Sequence, residues 1–108
     1  MAFEVFLTDD AAKDIEELYD YIARQDAPEN AEHAIAHIEK AVGSLSKFPQ
    51  RGVYPGELAA LGIRDYREIF FKPYRIIYRV MGGAVYVYLI VDGRRDIQTL
   101  LQRRLLEA

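Results

Sequence analysis

The sequence predicts an α+β domain in the order β-α-α-β-β-β-α: an N-terminal strand, a helical hairpin packed on a small, mainly antiparallel sheet, and a short C-terminal helix. Three observations predict it. Apolar residues recur at three- and four-residue steps over residues 9–48 and give way to strand-like runs from residue 63. The two helical patterns are joined by so short a link, around Gln25-Asp26, that the helices must run antiparallel. A Gly82-Gly83 pair sits between two β-rich runs, where a tight turn needs backbone conformations that glycine adopts freely.

Each element has its own reason. Phe3-Glu4-Val5-Phe6-Leu7 alternates loosely and is rich in β-forming residues, so a short strand is expected. Thr8 offers a capping hydroxyl, and Asp9 and Asp10 put acid in the first turn of a helix running to about Arg24. Its apolar face is Ala11, Ile15, Leu18, Tyr19 and Ile22, while Asp14, Glu16, Glu17 and Asp20 point elsewhere. Pro28 suits the first turn of a second helix, whose apolar series Ala31, Ala34, Ile35, Ile38, Val42, Leu45 and Phe48 continues until Pro49 ends it. Gln50 to Gly62, with Gly52, Pro55, Gly56 and Gly62, reads as a connecting loop.

Three strands follow, at roughly Arg64 to Phe71, Tyr74 to Met81 and Ala84 to Asp92. A two-residue Gly-Gly turn sets Val80 opposite Val85, Tyr78 opposite Val87, Ile76 opposite Leu89 and Tyr74 opposite Val91, all on one side, which is the expected core. The other side carries Arg75, Ile77, Arg79 and Met81 opposite Ile90, Tyr88, Tyr86 and Ala84, a mixed surface expected to stay open for a partner. Asp96 caps a last helix with Ile97, Leu100, Leu101 and Leu105 inward and Arg103 and Arg104 outward.

The composition bounds the function. At 108 residues and 51% hydrophobic content, one domain spanning residues 1–108 can bury one core. No cysteine is present, which removes disulfides, thiolate metal sites and cysteine nucleophiles. The chain has no apolar run of membrane-spanning length and its start lacks the layout of a signal peptide, so a cytoplasmic protein without membrane contact is expected. The net charge of −3 hides an asymmetry: residues 1–50 carry 4 basic and 11 acidic residues, and residues 51–108 carry 10 basic and 6 acidic. A basic side suits an anionic partner, although solvated acidic helix faces alone would give the same split.

Arg67-Glu68-Ile69-Phe70-Phe71-Lys72-Pro73-Tyr74-Arg75-Ile76-Ile77-Tyr78-Arg79-Val80, followed by Val91-Asp92-Gly93-Arg94-Arg95-Asp96, resembles the C-terminal half of the RelE/ParE toxin superfamily. That family has a Tyr-Arg-x-x-Tyr strand, a hydrophobic strand and a Gly-Arg-Arg-like turn. The helical hairpin and Phe48-Pro49-Gln50-Arg51-Gly52 look like the ParE side, so the likeness runs over essentially the whole chain. The resemblance implies the toxin of a type II toxin–antitoxin module, of the kind associated with plasmid stabilisation, neutralised by a cognate ParD-like antitoxin. Its members divide between ribosome-dependent mRNA endonucleases and poisons of DNA gyrase.

The residues favour gyrase. Metal-free RNA cleavage needs a general base, a general acid and cations around the phosphate. Arg67, Arg75 and Arg95 are the available nuclease set, but Arg67-Glu68-Ile69-Phe70 has no lysine where RelE-type enzymes place theirs, and Leu101 stands where they carry a C-terminal tyrosine. The basic turn and last helix, Arg94, Arg95, Arg103 and Arg104, are the expected gyrase contact. Ile77, Arg79, Met81, Tyr86 and Tyr88 form the expected antitoxin surface.

The plainer alternatives are these. Arg75 and Arg79 could pair with Glu68 or Asp65 and bind nothing, Tyr86 and Tyr88 could be half-buried strand formers, and Arg94 and Arg95 could be solvated turn residues. His33 and His37 are four apart on a helix but lack a third ligand, and Ser44 and Ser46 lack a partner histidine, so no metal, cofactor or serine chemistry is expected.

Overall fold

The chain opens with β1 (Glu4–Leu7), and Thr8 turns it directly into α1 (Asp9–Gln25) by accepting the Ala11 amide at 3.1 Å. That cap satisfies one of the orphan amides of the first turn, beside Asp9 and Asp10. α2 (Pro28–Gly43) follows with Pro28 in its first turn and lies antiparallel to α1. In this computed structural model, which describes residues 2–106, the remaining elements are α3 (Gly56–Ala59), β2 (Arg67–Phe71), β3 (Tyr74–Met81), β4 (Ala84–Asp92) and α4 (Ile97–Leu101), the last continuing as a π-helical turn to Leu106.

The sheet has the order β1-β4-β3-β2, with β1 parallel to β4 and the other pairs antiparallel. The α1–α2 hairpin covers one face through Ala11, Ile38 and Val42, joined by Leu45 just beyond α2, and these meet Ile69, Ile76, Tyr78, Val85, Val87 and Ile90. Each fully buried aliphatic side chain there contributes on the order of 1.5–3 kcal/mol.

The structure departs from the expected element bounds and register in four places. α2 stops at Gly43 and passes into a 3-10 turn, Ser44–Ser46, so Leu45 is buried while Phe48 turns out to solvent. The reason is long-range: Ser46 exchanges backbone and side-chain bonds with Phe3, which ties this turn to β1. The connecting segment contains the short helix α3, whose Leu58 is buried. β2 begins at Arg67 and not Arg64, because Tyr66 leaves the strand line to pack its ring edge-on against Tyr88, centroids 5.6 Å apart.

The fourth departure is the register. Val80–Val85, Tyr78–Val87, Arg79–Tyr86 and Met81–Ala84 pair as expected, but a bulge then inserts Tyr88. Ile77 therefore pairs with Leu89, Ile76 with Ile90, Arg75 with Val91 and Tyr74 with Asp92. Leu89-Ile90-Val91 is apolar at every position, so alternation could not locate the slip.

With the register moved, the second face has a core of its own. Ile77, Leu89 and Val91 are covered by Leu58 of α3, Tyr66, and Ile97 and Leu101 of α4. The expectation that this face is open is corrected at Ile77, which is fully buried by the chain itself.

Two polar contacts brace the bulge. Beyond Thr8 the chain no longer supplies a strand beside β4, and Asp14 of α1 accepts the Ile90 amide at 2.9 Å while Arg104 donates to the Tyr88 carbonyl at 2.8 Å. Arg104 also binds Asp14 directly at 2.9 Å, so one ion pair satisfies both backbone groups. The expectation of an outward Arg104 is thereby corrected: it folds back onto α1.

Candidate functional site

Arg75 projects from β3 over Glu68 of β2 and toward α3. Its Nε donates to Glu68 Oε1 at 2.6 Å and its Nη2 to Glu68 Oε2 at 3.0 Å. Its Nη1 and Nη2 each donate to a Glu57 oxygen at 2.8 Å. Four of the five guanidinium N–H groups are thus spent on two carboxylates, and Glu68 is 3% exposed. Hydrogen bonding to Glu57, against the opposing effect of burial, pushes the guanidinium further above its ordinary range, and the Arg75 bond holds the Glu57 carboxyl below the usual carboxylate range. The cluster carries one surplus negative charge, the wrong sign to receive a phosphate.

Arg67, at the other end of the β2–β3 ladder, is also engaged. It donates to the Gly52 carbonyl at 2.9 Å and lies over the Tyr54 ring at 4.7 Å, which holds the 50–54 segment against the sheet. Beneath that segment the second tyrosine of the Tyr-Arg-x-x-Tyr strand, Tyr78, donates to the Pro49 carbonyl at 2.8 Å and accepts the Gly52 amide at 3.0 Å. A Cβ at Gly52 would lie 2.5 Å from that hydroxyl and 2.8 Å from the Glu68 carbonyl, so the position excludes any side chain. The Phe-Pro-x-x-Gly element and the tyrosine strand are therefore one structural unit. Burial pushes the Tyr78 hydroxyl above its ordinary pKa.

The turn and terminal arginines divide by environment. Arg94 is bound to Asp92, and that hydrogen bond lowers the Asp92 carboxyl pKa and raises that of the guanidinium. Arg104 is half-buried against Asp14, with Asp10 at 3.7 Å, and the Asp14 hydrogen bond raises its pKa. Arg95 and Arg103 are exposed and form no ion pair among the described residues. Of the nuclease set, Arg67 and Arg75 face carboxylates, carbonyls and rings at β2, while Arg95 lies beyond the end of β4; the fold engages two of the three in structural contacts and leaves the third free.

On the second sheet face, the end away from α3 and α4 stays accessible. Arg79 lies over the Tyr66 ring at 5.8 Å, Met81 is 39% exposed, and Tyr86 stacks on Phe6 with ring centroids 5.5 Å apart. Phe6 was not among the residues expected here. Its signal was its alternation with Val5 in the first strand, but its neighbours follow from the parallel β1–β4 pairing, which has no local sequence mark. Tyr88 is half-buried between this surface and the second core.

His33 and His37 meet edge to face with centroids 4.4 Å apart, and His37 stacks on Phe71 at 4.9 Å, so the pair packs against the sheet end. Among the described residues no group of three or more potential ligands surrounds a metal position. No helix among them is long and apolar enough to cross a membrane.

A groove of about 590 Å³ opens between α1, the free edge of β4 and α4. Its α1 wall carries Asp14, Glu17, Leu18, Asp20, Tyr21 and Arg24, its floor is Leu89 to Asp92, and its far wall includes Arg95, Leu100 and Arg104.

The family model for the ParE toxin of the type II toxin-antitoxin system, parDE, matches residues 5–97. Among solved structures, a chain of the chromosomal ParDE system from P. aeruginosa shares the fold with a TM-score of 0.71 at 23% identity, over 84% of this chain and 96% of that chain. No curated protein matches the sequence.

Proposed function

This chain belongs to the ParE toxin family of type II toxin–antitoxin systems, and from that premise we propose that it acts in the cytoplasm on DNA gyrase, holding the enzyme on cleaved DNA, until a ParD-like antitoxin covers it. The observation that carries the gyrase reading over RNA cleavage is the state of Arg75. A guanidinium locked between Glu57 and Glu68 has neither the donors nor the surrounding charge to hold an in-line phosphate. With Leu101 buried in the second core where a proton donor would be needed, the chain acts by binding.

The gyrase contact is assigned to Arg95 and Arg103, which are exposed and form no ion pair among the described residues, with Arg94 beside Arg95; Arg104 serves as the brace that holds the C-terminal helical segment in place. The antitoxin surface is assigned to Arg79, Met81, Tyr86 and Tyr88 together with Phe6, above the buried Ile77. Apolar anchors there supply affinity and Arg79 supplies orientation toward an acidic or amphipathic segment.

The deciding experiment adds the purified chain to a gyrase supercoiling reaction with ATP and, in parallel, to ribosomes programmed with mRNA. Linear, protein-linked plasmid with intact mRNA is the expected result. Cut mRNA with normal supercoiling would establish the endonuclease alternative, and no effect on either would identify a module that binds antitoxin without toxicity. Charge reversal at Arg94 and Arg95 is expected to abolish gyrase poisoning without unfolding the chain.

A further inference from the structure

Resting on the antitoxin reading above, we infer that the groove between α1 and α4 is a slot for one extended segment of the antitoxin, lying parallel to β4 as a continuation of the line of β1. β1 pairs with β4 only from Ala84 to Val87, and β4 runs on to Asp92. Gly93 donates to the Pro73 carbonyl across the β3–β4 ladder, so alternation turns the amides and carbonyls of Ile90 and Asp92 away from β3 and into the groove.

Two of those four groups are already used. The Ile90 amide donates to Asp14, and the Asp92 carbonyl accepts from Arg95. The Ile90 carbonyl and the Asp92 amide are left without a protein partner among the described residues. An antiparallel strand residue exchanges both bonds with a single residue, and at Ile90 and at Asp92 one of the two is taken. A parallel strand residue opposite Val91 needs the carbonyl of Ile90 and the amide of Asp92, the two that are free. The edge therefore accepts a strand in one direction, the direction in which β1 already pairs.

The walls define its side chains. Successive residues of a strand point to opposite faces, and here the faces differ in charge: α1 offers Glu17 and Asp20 beside Leu18 and Tyr21, with Arg24 in its last turn leaving an acidic excess, and the α4 side offers Arg95 beside Leu100. The segment that fits alternates basic or apolar residues toward α1 with acidic or apolar residues toward α4. Its length is short, because Arg104 and Asp14 block the slot at Tyr88.

The test measures amide exchange in the full chain, alone and bound to its cognate antitoxin, together with antitoxin affinity for Glu17→Lys/Asp20→Lys and for Glu39→Lys on the exposed face of α2. The Asp92 amide exchanges freely in the isolated chain and slows at least about tenfold in the complex, as a backbone hydrogen bond forms. The double charge reversal weakens binding about tenfold and Glu39→Lys does not. A complex that forms while Asp92 exchanges as in the free chain, or an Asp92 amide already protected without antitoxin, overturns the slot and leaves the antitoxin reading standing. Failure of the parent chain to bind the antitoxin at all overturns the antitoxin reading, and the slot with it.

Discussion

Replacing Arg75 with alanine separates a structural guanidinium from a ligand-binding one. The substitution leaves Glu68, 3% exposed, and its neighbour Glu57 facing each other with no counterion. Breaking a buried ion pair by removing one partner costs about 3–5 kcal/mol, and Glu57, whose side chain is 29% exposed, recovers part of its share from water. For a domain of this size each kcal/mol moves the melting temperature by about 4 °C, so a loss near the lower end of that range, roughly 12 °C, is expected. Thermal melts of the Arg75→Ala chain followed by circular dichroism read it directly. A second variant, Arg75→Met with Glu68→Leu and Glu57→Gln, removes all three charges and is expected to recover most of the loss, since buried ion pairs replaced by apolar groups are often neutral. An Arg75→Ala chain melting within about 3 °C of its parent would refute the claim that the cluster is structural and would restore Arg75 as a candidate ligand contact.

Three further outcomes follow from the same geometry. Tyr78→Phe, which strands the Pro49 carbonyl and the Gly52 amide, is expected to cost about 1–3 kcal/mol in urea denaturation, and Gly52→Ala more than Tyr78→Phe because its Cβ overlaps both the hydroxyl and backbone. Glu57 is depressed in the folded state, so the stability it contributes is present above the ordinary carboxylate pKa and is lost as pH falls through its lower folded value; Glu57→Gln should flatten that acid limb in melts taken at descending pH. Ile77→Ala should cost about 2–5 kcal/mol of stability, as a fully buried residue does, whereas Met81→Ala should leave the melt almost unchanged and weaken antitoxin binding in a titration.

The terms that read correctly from sequence were local ones. Thr8 and Asp96 cap their helices as their side chains suggest, Gly82 takes a φ of +61° in the turn that glycine was expected to make, and β3 and β4 have the expected ends because turn residues bound them. The family resemblance belongs to this class as well, since it rests on short ordered motifs that survive without knowledge of their partners.

What remained hidden depends on contacts between distant positions. The bulge at Tyr88 has no mark in an all-apolar run and is braced by Asp14 and Arg104, which come to it from opposite ends of the chain. In sequence Arg75 suits a phosphate clamp, with pairing to a nearby carboxylate as the plainer alternative. Glu68 was in view as a neighbour, but Glu57 sits on a helix that had read as loop, and its arrival decides the matter. The amino-acid sequence by itself determined the two long helices, the four strands, the last helix, their order and the family, because caps, turns and periodicity act within a few residues. The tertiary structure alone decided which arginines are free, that Ile77 is core and which backbone groups of β4 are exposed, because burial and pairing are properties of what the rest of the chain brings to each position.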